Sequence, residues 1–122
     1  MVEYIARMLK DPDTGAFAAA LVWALVNGHP DNQALFAGVR SSSLGSIGSG
    51  VIGQLLMLIQ EGSESEQDYA AGALQNVLAG NESVIKLATV LGVGETARGL
   101  LKRVSSDEAA ASLRVVLEVM GV

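Results

Sequence analysis

The feature that most constrains this chain is internal repetition at a spacing of about 40 residues. The clearest unit runs from Gly50 to Asn81, GVIGQLLMLIQEGSESEQDYAAGALQNVLAGN. Within it Val51, Ile52, Leu55, Leu56, Leu58 and Ile59 fall at helical spacing and predict one broad buried face. After a polar connector, Ser65 followed by Asp68 reads as a helix start. Tyr69, Ala70, Ala73, Leu74, Val77 and Leu78 read as that helix's apolar face, and Gly80-Asn81 as its stop. The pattern recurs on both sides. Ile5, Met8 and Leu9 match Leu55, Leu58 and Ile59 at an offset of 50, which becomes 39 when the 11 residues from Arg40 to Gly50 are set aside. Gly50, Val51, Leu58 and Ile59 match Gly92, Val93, Leu100 and Leu101 at 42, and Ala70, Ala71, Leu74, Val77 and Leu78 match Ala109, Ala110, Leu113, Val116 and Leu117 at 39. The three-residue difference is a shorter turn. A helical unit of this size cannot bury its face alone and must stack on its neighbours.

Composition agrees with stacked helices. A chain of 122 residues has room for one hydrophobic core. Half of its residues are hydrophobic but only 4% are aromatic, so that core is built from Ala, Leu, Val and Ile, which suits closely packed helices. The net charge of -5 disfavours phosphate backbones and anionic lipid, so neither nucleic acid nor a membrane is an expected partner. The absence of cysteine excludes disulfides, thiolate metal sites and cysteine nucleophiles. The start, MVEYIARMLKDPD, lacks the continuous apolar stretch of a signal peptide. The longest apolar run, Ala16 to Val26, falls well short of the roughly 20 residues a spanning helix needs. A soluble, intracellular protein is expected.

In chain order, a first helix is predicted over Val2 to Lys10, with Val2, Ile5, Ala6, Met8 and Leu9 inward, ended by Asp11-Pro12-Asp13. A second, capped by Asp13 or Thr14, runs from about Thr14 to Asn27 with Phe17, Ala20, Leu21, Ala24 and Leu25 inward, and stops at Asn27-Gly28-His29-Pro30. A short third begins near Asp31 and reaches Gly38. Arg40 to Gly50 is rich in glycine and serine and reads as a flexible insertion, although Leu44, Ile47 and Val51 are in helical phase and also suit an extension of the next helix. Beyond Asn81, helices are expected at Glu82 to Leu91, about Glu95 to Val104, and Asp107 to Met120, the last opened by a capping box of Ser105 and Glu108. The result is one domain. Residues 1–38 form a partial first unit, 39–50 the insertion, 51–91 a second unit, and 92–122 the last two helices of a third.

Two of these segments carry a family pattern. Gly50-Val-Ile-Gly-Gln-Leu-Leu-Met-Leu-Ile59 resembles the armadillo-repeat motif G-x-I-P-x-L-V-x-L-L, and Ala70-Ala-Gly-Ala-Leu-Gln-Asn76 resembles its A-A-x-A-L-x-N. Val2 to Leu9 fits the first motif, and Trp23-Ala-Leu-Val-Asn27 is similar to the W-A-L-x-N of importin-α-type members. The chain departs from the pattern at Gly53 and Glu95, where the family has proline, and at Val115, where it has asparagine; Trp23 has no counterpart at Gly72 or Ala111. The resemblance implies an all-α fold, a short right-handed α-solenoid of armadillo- or HEAT-like three-helix repeats.

It also implies a function. In this family the last helix of each repeat lines a concave groove, and its asparagine, both donor and acceptor, fixes the backbone of an extended peptide. Trp23, Asn27, Gly72 and Asn76 are then the candidate peptide-binding residues. Trp23 would pack on an aliphatic stem or stack over a cation, a contact of roughly 0.5 to 2 kcal/mol. The competing readings are a core position for Trp23 and a simple capping role for Asn27 beside Gly28. The acidic chain favours a basic or neutral peptide. The alternative is an assembly role. The last helix is mostly apolar, and Leu113, Val116, Leu117 and Met120 are candidates for self-association into a homo-oligomer, or for packing onto further repeats.

An enzyme is not expected, because no nucleophile and base, paired carboxylates or metal-ligand spacing stands out. His29 is a lone histidine in a Gly-His-Pro-Asp turn, so no metal is called for. Gly48-Ser-Gly50-Val-Ile-Gly53 matches G-x-G-x-x-G without a strand before it, so no cofactor is expected either. Glu61, Glu64, Glu66 and Asp68 sit where a helix N-terminus is predicted and are explained by its dipole.

Overall fold

The computed structural model describes residues 2–38 and 50–121, with the backbone alone for Val2 and Glu3. The two readings of Arg40 to Ser49, and the inward placement of Val2, lie outside the described residues. Among those residues the chain is all-helical, with no strand: α1 (Val2–Lys10), α2 (Gly15–Val26), α3 (Pro30–Ala37), α4 (Val51–Glu61), α5 (Glu64–Leu78), α6 (Glu82–Val90), α7 (Val93–Leu101) and α8 (Asp107–Met120). None of these helices is long and apolar enough to cross a membrane.

The helices start and stop for local reasons that differ in part from the sequence expectation. Thr14 stands at the N-terminus of α2, but its hydroxyl donates back to the Met8 carbonyl at 2.8 Å rather than capping. For α5 the cap is Ser63, not Ser65. The Ser63 hydroxyl accepts from the Glu66 amide at 3.3 Å and the Glu66 carboxylate accepts from the Ser63 amide at 2.9 Å, a complete capping box. Gly62 sets that register, since a Cβ there would lie 2.3 Å from the Leu58 carbonyl oxygen and no larger residue fits the turn. For α8 the cap is Ser106, whose hydroxyl accepts from the Ala109 amide at 3.1 Å; the expected Ser105 is held elsewhere.

The core is centred on α5. This helix packs against α2 on one side, α8 on the other and α4 behind it. Ala70, Ala71, Ala73, Leu74, Val77 and Leu78 are fully buried. Three buried alanines on one helix let the neighbouring backbones approach closely, which is why so few aromatics suffice. The remaining helices pair in the same sense, α1 with α4, α4 with α7 and α3 with α6, while α1 with α2, α4 with α5 and α7 with α8 form hairpins.

α2 corrects the sequence reading. Its buried residues are Gly15, Ala18, Ala19, Val22 and Val26, whereas Phe17 and Ala24, expected inward, are exposed and Ala20, Leu21 and Leu25 are half-buried. The helix GAFAAALVWALV is apolar all round, so spacing alone cannot choose a face. Tyr69, expected on the inner face of α5, is likewise exposed.

Buried polar groups bind the helices to one another. Gln33 of α3, 3% exposed, donates from Nε2 to the carbonyls of Asn76 and Ala79, both at 2.8 Å. These are carbonyls at the end of α5, which lack partners within the helix. The Gln33 Oε1 accepts from Asn81 Nδ2 at 3.2 Å, and Asn81 Oδ1 accepts from the Val84 amide at 3.3 Å, capping α6. One glutamine thus joins the start of α3, the end of α5 and the start of α6. Gln67 does similar work at the other end of α5, its Oε1 accepting from the Ser105 amide at 3.2 Å and the Ser105 hydroxyl at 3.3 Å.

Candidate functional site

On α5 the buried residues leave one stripe facing out, at positions three and four apart: Ser65, Tyr69, Gly72 and Asn76. Forty-nine residues earlier the matching positions read Ala16, Ala20 and Trp23 on α2 and Asn27 at its C-cap, and 39 residues later they read Val104, before α8, and then Glu108, Ala111 and Val115 on it. Trp23 is 43% exposed and Asn27 is exposed, so the core reading of Trp23 does not hold. Gly72 and Asn76 are half-buried. A Cβ on Gly72 would meet nothing within 4 Å, which leaves open space beside the Trp23 level of the stripe. Tyr69, 41% exposed, is a second aromatic on it that the sequence reading missed. The signal that finds it is its place in the Tyr69, Gly72, Asn76 series rather than its hydrophobicity.

The two helices are tied together within this stripe. Asn76 Nδ2 donates to the Trp23 carbonyl at 3.5 Å. Gln33 holds the Asn76 carbonyl from behind. The side-chain oxygen of Asn76 accepts no hydrogen bond from the described residues, so it is available to a donor approaching from solvent. Asn27 shows its backbone in the capping role, its amide donating to the Trp23 carbonyl at 3.1 Å, while its side chain stays exposed.

Toward α8 the stripe turns acidic. The Ser106 hydroxyl donates to the Asp68 carboxylate. Beside it, a hydrogen bond to Asp68 and then the repulsion of its charge hold the Glu108 carboxyl above the usual carboxylate range. Glu64 and Asp107 add smaller repulsions. The region around Tyr69 therefore bears clustered negative charge.

The residues expected to mediate self-association are placed differently. Leu113 and Val116 are fully buried in the chain's own core and present no surface to a partner, while Leu117 and Met120 are half-buried against it. The periodicity that marked them as apolar is the periodicity of an inner face. His29 lies exposed in its turn, Gly50 caps α4 and Gly53 is buried. No group of three metal-ligating side chains gathers among the described residues. A cleft of about 310 Å³ opens at the α1–α2 turn and the end of α4, between Leu9, Lys10, Met57, Glu61 and Glu66. It shares no residue with the stripe, and its Glu66 carboxylate is already engaged in capping α5. No family model matches the chain, and comparison with curated proteins and with solved structures likewise returns no match.

Proposed function

We propose that this chain is a non-catalytic interaction module of armadillo type that holds an extended peptide across α2, α5 and α8. Its three-helix units stack as a short right-handed α-solenoid, and the last helix of each unit lines the groove. The observation that carries this reading is the placement of Asn76. Its carboxamide reaches the Trp23 carbonyl and keeps an oxygen turned to solvent, beside an exposed tryptophan and the open space at Gly72. A peptide laid across the helices donates a backbone amide to Asn76 and rests a side chain on Trp23, with Asn27 and Tyr69 flanking. Main-chain recognition of this kind fixes an extended backbone without demanding one sequence. The carboxylates of Asp68 and Glu108 favour a basic side chain at that end. No cofactor, metal, nucleic acid or membrane takes part.

Amide-resonance mapping of the isotopically labelled chain during titration with extended basic peptides tests this. The expected perturbations fall at Trp23, Asn27, Tyr69, Gly72 and Asn76. Perturbations confined to the cleft at Lys10 and Met57 would sink the reading.

A further inference from the structure

α2 has two apolar faces and the structure covers one of them. Gly15, Ala18, Ala19, Val22 and Val26 are buried, whereas on the far side Phe17 is 55% exposed, Ala24 is exposed and Leu21 is half-buried. The repeat says what that far side is for. Forty-nine residues on, Phe17, Leu21 and Ala24 become Glu66, Ala70 and Ala73. Glu66 lies against α2, its Oε2 3.1 Å from where a Cβ on Gly15 would stand, and Ala70 and Ala73 are fully buried. Positions that are covered on α5 are, at the matching places on α2, exposed or half-buried.

The opposite end of the chain differs. Gln67 and Asp68 face α8 through Ser105 and Ser106. In the same register the outward positions of α8 include Asp107, Ala110, Arg114 and Leu117. Asp107 and Arg114 are exposed, so that end is charged, whereas α2 holds no charged residue at all.

We propose that the Phe17, Leu21, Ala24 face of α2 docks on the same face of a second copy of this chain, as an antiparallel two-fold pair. The charged end of α8 is a poor occupant, because covering Asp107 and Arg114 with Phe17 and Leu21 strips water from both charges. The α2 face suits itself. With Leu21 near the two-fold axis, Phe17 of one copy falls opposite Ala24 of the other, a large residue against a small one. A contact of this symmetry closes at two copies. A helix of 12 residues gives less area than the ~1,200 Å² of a tight complex, so the pair is reversible and forms at high micromolar concentration. Trp23 and Asn27 point about 100° away on the helical wheel, so the pair leaves the peptide stripe open and does not depend on it.

Sedimentation of the full chain from about 10 µM to about 1 mM is the test. The 12.6 kDa monomer is expected to give way to a species of twice that mass and no larger. Phe17→Glu, at an exposed position, keeps its circular dichroism and weakens the pair by at least about tenfold, while Arg114→Ala leaves it unchanged. In this cysteine-free chain Leu21→Cys forms a disulfide-linked dimer under mild oxidation and Arg114→Cys does not. A monomer at every concentration, a pair indifferent to Phe17→Glu, or growth beyond two copies would overturn the proposal.

Discussion

The carboxamide of Asn76 and the backbone carbonyl of Trp23 stand 3.5 Å apart, linking α5 to α2 at the exposed edge of their packed interface. That is the long limit of a hydrogen bond, so the contact contributes little to folding and leaves Asn76 ready to serve a ligand. Asn76→Ala is therefore expected to lower stability by less than about 1 kcal/mol in urea unfolding while weakening peptide binding by about tenfold or more. A loss of several kcal/mol with unchanged affinity would make Asn76 a purely structural residue.

Gln33 is the reverse case. Replacing it with leucine keeps the volume but takes away the donor that the Asn76 and Ala79 carbonyls share at a part-buried junction, while the Asn81 side-chain amide keeps the Pro30 carbonyl. The expected cost is roughly 1 to 3 kcal/mol, read as a fall in the urea midpoint, because the carbonyls lose their shared donor and a buried polar side chain is replaced at the junction of three helices.

Gly72 offers a gain. It lies inside α5 with open space where a Cβ would go. Gly72→Ala should raise stability by about 0.5 to 1 kcal/mol through helix propensity. The measurement is the same urea series, and a loss would mean that the helix needs glycine there.

Glu108 gives the chain a pH dependence of definite sign. Asp68 raises its carboxyl above the ordinary 4.5, so between 4.5 and the raised value the folded chain binds more protons than the unfolded one. In that window the contribution of this group to stability falls as pH rises; it is fully present below the unfolded value and lost as pH passes the folded one. Glu108→Gln removes the repulsion. It should raise the melting temperature slightly at pH 7 and flatten the acid-side profile, whereas an unchanged profile would show that the two carboxylates do not interact.

Element order was legible in the sequence because apolar runs are broken by glycine at the ends of α2, α3, α4, α5, α6 and α8, and by Asp11-Pro12-Asp13 after α1. Which residue starts a helix was less so, because neighbouring serines compete. Ser63 with Glu66 and Ser65 with Asp68 both satisfy the capping-box spacing, and the choice falls to Gly62, whose lack of a side chain permits the tight turn at Leu58. Ser105 loses its capping role to Ser106 because Gln67, 38 residues away, takes its amide and hydroxyl. Contacts of that range leave no local mark, and the same holds for Gln33 and Asn81. At the candidate site, Trp23 and Asn27 stood out through the W-A-L-x-N resemblance and not through the helical wheel, because α2 is apolar all round and its expected inner face is the uncovered one. Tyr69 did not, since an aromatic beside Ala70 looks like core, yet of the two only the alanine is buried.

The most direct test uses Trp23, the single tryptophan, as its own reporter: acrylamide quenching of its fluorescence, alone and during titration with extended basic peptides. At 43% exposure it should be readily quenched, and bound peptide should suppress the quenching in a saturable way. Quenching that no peptide alters would contradict a peptide groove over Trp23 and Asn76.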